Sequence, residues 1–128
     1  MTIYNPRVGF EVISVAAGGT TSPADATPVT INVGRTIILV SPPAGWSAGS
    51  GNPPGGIALS GATAGDEIAL RAADAAFGAN GTAVYLPSGD TVFGETVTSF
   101  TVGSHAVGNG DLVRLTKVDA TNWVFDRA

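Results

Sequence analysis

The stretch "LTKVDATNWVFDRA" (115–128) holds an alternating run, a polar turn and a second run. Leu115 and Lys117 share one side of an extended chain, and the polar residues Asp119 to Asn122 interrupt it. Trp123, Val124 and Phe125 then open a new strand whose two aromatic rings fall on one face if the strand is regular. Two large rings on one face of a strand predict that Trp123 and Phe125 seal either the β core or a contact with another copy of the chain.

Working outward from this hairpin-like stretch, similar short runs fill the chain. They are 8–15, 28–33, 36–40, 56–60, 67–71, 83–86, 91–93, 97–102, 111–118 and 122–125, rich in Val, Ile, Thr and aromatics. Gly, Pro, Asn, Asp or Ser separates most of them. This spacing predicts an all-β domain of short antiparallel strands, a single small sandwich or barrel with long Gly/Pro-rich loops. Ile68 and Leu70 should face one way with Glu67, Ala69 and Arg71 opposite; Val113 and Leu115 should face away from Arg114 and Thr116. In "VGFEVISV" (8–15) the apolar residues change parity: Val8, Phe10 and Val12 on one face, Ile13 and Val15 on the other. Either a bulge sits there or both faces are covered. "LRAADAAF" (70–77) is Ala-rich and could form a short helical turn ended by Gly78.

Two regions interrupt the strand pattern. Residues 40–61 carry two Pro-Pro pairs, Trp46 and a Gly/Ser run. This is a disordered linker or an ordered loop, with Trp46 pressed into a neighbour or covering its own core. Residues 16–28 read as an exposed loop or arm. The resulting division is an N-terminal arm or strand region, 1–35, that is a possible docking element, followed by a β domain, 36–128, with an irregular loop at 41–56. Three Gly-Asp pairs, at 65–66, 89–90 and 110–111, read as turns, with Gly at positive φ and the Asp carboxylate bonding a backbone N–H two residues on.

Composition narrows the function. The 128 residues suit one domain, and no basic segment followed by an apolar run marks a secretory signal. No run is long enough to cross a bilayer as a helix. Without Cys, thiolate metal sites are excluded. Charged residues are 12% of the chain, against about 25% in a typical soluble domain, while hydrophobic residues are 44%. A chain so poor in charge is either an assembly component whose surface is covered by other protein, the favoured reading, or a monomer with a neutral Thr/Ser/Asn-rich surface. The net charge of −4 and the scattered cations (Arg7, Arg35, Arg71, Arg114, Lys117, Arg127) speak against a nucleic-acid partner.

Chemistry-bearing motifs are missing. His105 is the lone histidine, and Ser104 beside it in sequence does not make a triad. No G-x-S-x-G occurs, and "GSGNPPGG" (49–56) lacks the Lys and Ser/Thr of a phosphate-binding loop. With ten acids present a glycosidase-type carboxylate pair stays open, but nothing picks out two of them, and Asp66 and Glu67 point to opposite faces if they lie on a strand. The expectation is no enzyme, no metal, no cofactor and no small-molecule substrate.

From residue 57 onward one order of features stands out: "GDEI" (65–68), "LPSGDTVFG" (86–94) and "GDLVRLTKVDATNW" (110–123). This pattern resembles a module of tailed-bacteriophage virion proteins found in tail fibres, spikes and small capsid decoration (cement) proteins. The resemblance spans about 70 residues. It implies a β-structured virion protein, typically a homotrimer, made in the host cytoplasm and carried on the capsid exterior. The length of this chain fits a decoration protein that clamps adjacent major capsid subunits and stabilises the expanded head. The alternative is a tail-fibre or tail-tip domain that recognises a host surface glycan. Under the first reading, expected capsid or inter-subunit contacts are Tyr4, Pro6, Arg7 and Phe10 from the N-terminal stretch and Trp46 from the loop. The partners would be the major capsid protein and further copies of the chain, with no nucleic acid and no membrane.

Overall fold

A computed structural model describes residues 7–16, 24–41, 56–72, 82–92, 99–102 and 113–127. Within them the chain is built of strands, without helix. The strands are β1 (Phe10–Ala16), β2 (Thr27–Thr30), β3 (Arg35–Ser41), β4 (Gly56–Ser60), β5 (Glu67–Ala72), β6 (Thr82–Tyr85), β7 (Thr91–Val92), β8 (Ser99–Val102), β9 (Val113–Lys117) and β10 (Asn122–Arg127). Each falls on a run expected from sequence. Leu70 to Ala72 belong to β5 and not to a helical turn, and the remainder of 70–77 lies outside the described residues.

Up to β8 the strands alternate between two sheets. One is six-stranded in the order β1-β3-β5-β9-β10-β7; the other is four-stranded in the order β2-β4-β6-β8. Up to β6 the chain returns after each crossing beside its predecessor pointing the same way, so β1-β3-β5 and β2-β4-β6 run parallel. β7 is also parallel to β10, and antiparallel pairing is confined to β5/β9, β9/β10 and β6/β8. The expected antiparallel arrangement is therefore corrected to a mixed one. The reason lies in the links, because most of them lead to the opposite sheet instead of folding back on the same one. Among the described residues only the turn after β9 joins neighbours in one sheet as a hairpin, closed by Val118 N–H donating to Asn122 C=O at 2.9 Å.

The inner faces of both sheets meet in one hydrophobic cluster. Ile38, Val40, Ile68, Leu70, Val113, Leu115 and Trp123 come from the six-stranded sheet, and Val29, Ile57, Leu59 and Val84 from the other. The alternation read from sequence holds in β5 and β9: Ile68, Leu70, Val113 and Leu115 are buried, while Arg71 and Arg114 are exposed. β1 has no bulge, since its register with β3 is unbroken from Phe10↔Arg35 to Ala16↔Ser41. β1 and β2 are members of the two sheets, so the described part of 1–35 contributes a strand to each.

Two of the three Gly-Asp pairs lie in the described residues and form matching turns. Asp66 N–H donates to Thr63 C=O and Asp90 N–H to Pro87 C=O, both at 3.0 Å. Gly65 and Gly89 sit at φ 96° and 90°, which a side chain would resist. Gly34 is required for a different reason. A Cβ there would overlap the carbonyl oxygen of Arg7, whose segment packs on this corner. Gly34→Ala must push that segment away, and a loss of about 1–3 kcal/mol in chemical unfolding is expected, as for other overpacked sites.

In the hairpin turn Asp119 Oδ1 accepts from the backbone N–H groups of Thr121 at 2.9 Å and Asn122 at 2.8 Å, and from the Asn122 side chain. These bonds, the Thr121 N–H foremost, hold its carboxyl below the ordinary value of 3.8. A carboxylate depressed in the folded state supports the fold above its ordinary value and loses that support as pH falls through the folded value. An NMR titration should place the Asp119 midpoint below 3.8. A midpoint at or above that value would contradict the turn geometry.

Candidate interaction surface

The outward face of the six-stranded sheet carries what the core does not explain. β1 alternates regularly, so Phe10 and Val12 point outward and are 61% and 52% exposed. In register beside Val12 stand Ile37 on β3 and Ala69 on β5. Leu39 lies beyond Ile37 on the same face, half-buried. β3 thus reads "TIILV" with apolar residues on both faces, the composition of a strand covered on both sides. Of the described residues, none forms a layer over that outer face. Of the two explanations for the parity change in β1, the structure removes the bulge, and it shows Phe10 and Val12 of the outer face exposed.

Charge frames this strip. Arg35 Nε lies 3.4 Å from Glu67 Oε2, an exposed pair that contributes little to stability. Arg71 and Arg114 are exposed on the same face. Phe10, Arg35, Ile37, Glu67, Ala69 and Arg114 enclose a shallow depression of about 110 Å³. It is smaller than a cleft for a drug-sized ligand, and its lining offers neither a nucleophile–base pair nor a metal-ligand set. Among the described residues no group of three His, Cys, Asp or Glu side chains converges. The face is suited to burial against another surface.

The turns before β5 and β7 hold two buried carboxylates, neither of which bonds a backbone N–H two residues on as expected. Asp66 Oδ2 accepts from Thr63 N–H at 2.8 Å and from Arg7 Nη2 at 2.6 Å. Arg7 also donates to the carbonyls of Ile31 and Gly61, tying three corners of the fold together. Asp90 Oδ2 accepts from Lys117 Nζ at 2.9 Å and Trp123 Nε1 at 2.8 Å. Lys117 lies 5.5 Å from the centre of the Trp123 ring. Both sites are internal fastenings. A lysine at an inward position beside Leu115 was the sequence signal for the second, since a buried ammonium needs an anion.

These placements sort the expected contact residues. Phe10 stands on the exposed face, where a contact residue belongs. Arg7 reaches inward, its guanidinium paired with Asp66, with a third of its side chain exposed. Trp123 is fully buried in the core and Phe125 packs against it, so Trp123 closes the core. Tyr4, Pro6, Trp46 and His105 lie outside the described residues. No helix of the described residues is long and apolar enough to cross a membrane. Comparison with protein-family models, with curated protein sequences and with solved structures finds no match to this chain.

Proposed function

We propose that this chain is a structural protein of a tailed-bacteriophage virion, a capsid decoration protein that docks on the exterior of the head and ties adjacent major capsid subunits together. The observation that carries this reading is the outward apolar strip of Phe10, Val12, Ile37 and Leu39 on a sheet whose other face already forms the core. The low charge content and the resemblance of residues 57–123 to phage virion modules support it. The all-β domain acts as a small sandwich, and several copies, three in the related modules, sit together on the shell. No catalysis, cofactor or small ligand enters the mechanism. Contacts formed only on the expanded shell stabilise that state by mass action. A specific contact needs a total buried area of about 1,200–2,000 Å², and repetition over many sites adds avidity.

Co-sedimentation of the chain with expanded empty heads of the phage that encodes it tests this. Binding is expected, and Phe10→Ser or Val12→Ser should each weaken it about tenfold, the equivalent of about 1.4 kcal/mol of lost apolar burial. Retention on host cells with no binding to heads would transfer the chain to the tail, as a receptor-binding domain.

A further inference from the structure

We propose that β1 pairs antiparallel with β1 of a second copy of this chain, about a two-fold axis through Ile13, joining two six-stranded sheets into one. Among the described residues the four sheet edges are unequal. β7 is two residues long, β2 is four residues with Pro28 inside it, and β8 is four residues. Short strands and proline are the ordinary protections of an edge. β1 is seven residues long, in unbroken register with β3, and contains no Pro, Lys or Arg. Every second residue of a parallel edge strand turns its N–H and C=O away from the neighbour, so β1 offers a long row of such groups.

Burial along β1 shows the same gap. Ile13 and Val15 face the core yet are only partly buried, whereas their register partners Ile38 and Val40 are 0% and 1% exposed. Phe10 and Val12, on the other face, are more than half exposed. Both layers are thus incomplete on the β1 side, which is what the loss of one neighbouring strand produces.

The strand is complementary to itself. Centred on Ile13, all seven residues pair. Phe10 then lies opposite Ala16 of the second copy and Val12 opposite Ser14, large against small on the outer face. Glu11, the one charge in the strand, meets Val15. The two copies of Glu11 stand about 14 Å apart along the pair, beyond a Debye length of about 8–10 Å. Stacking two outer faces would instead set Arg35, Arg71 and Arg114 against their own copies. Self-association therefore runs through the edge and leaves the face open to a different partner.

This pairing stands independently of the virion reading, and its test uses the isolated chain. Sedimentation at about 100 μM, where a micromolar contact is saturated, should find a dimer. Val12→Lys places a charge on the edge and should weaken the dimer at least about tenfold without changing the circular dichroism. The chain contains no cysteine, so introduced thiols report the register cleanly. An oxidised mixture of Val12→Cys and Ser14→Cys chains should cross-link to each other, whereas Val12→Cys alone should not. A monomer at that concentration, an odd-numbered oligomer, a dimer unaffected by Val12→Lys, or equal cross-linking of Val12→Cys alone would each overturn the pairing.

Discussion

Replacing Asp90 by Ala should cost about 3–5 kcal/mol of folding stability, because it leaves a buried lysine without its counter-ion. Asp90 is 4% exposed, and its Oδ2 accepts from both Lys117 Nζ and Trp123 Nε1. The Lys117 side chain is 9% exposed, so water cannot replace the lost carboxylate without opening the sheet. The unpaired ammonium then favours parting its strand from β10. The loss should be largely recovered in Asp90→Ala/Lys117→Met, where neither charge remains, because the penalty comes from the orphaned partner. Urea unfolding of both single variants and the double variant measures this cycle. A single-variant cost under about 1 kcal/mol would mean that the pair is solvated and does not fasten β7 to the β9–β10 hairpin.

Trp123→Ala should be comparably severe, at about 3–5 kcal/mol. Trp123 heads the fully buried side chains by size. It packs among core residues from both sheets, and its Nε1 anchors Asp90. Trp123→Phe separates the two contributions. It keeps most of the ring volume but removes the N–H donor, and should cost about 1–3 kcal/mol. Since Trp123 lies inside one chain, the Trp123→Ala loss should not depend on protein concentration. A native-like melt in that variant, or a loss seen only on dilution, would move the ring from the core to a subunit contact. Domains of this size are stable by about 5–15 kcal/mol, so either substitution removes a large share of the total.

The strands themselves were legible along the chain. The apolar–polar alternation of "EIALR" and "DLVRL" is a local property, and a strand exposes it wherever the strand is later placed. The same reasoning placed Trp123 and Phe125 on one face, and it identified Gly65 and Gly89 as turn residues with positive φ. The odd parity of "VGFEVISV" was legible too, as a choice between a bulge and a covered face. Register with β3 was needed to remove the bulge.

What only the tertiary structure decided is which strands meet. Whether β3 runs beside β2 or beside β1 depends on the path of the link between them, residues 31–34, and a four-residue link has no periodicity that reveals its path. The parallel pairs β1-β3-β5 therefore appeared only in three dimensions. The same holds for ion pairing. Asp66 meets Arg7 across 59 residues and Asp90 meets Lys117 across 27, distances over which sequence carries no contact signal in a single chain. Alternation set the direction of each side chain, while the winding between two sheets selected its partner, because local backbone geometry governs the first and long-range packing governs the second.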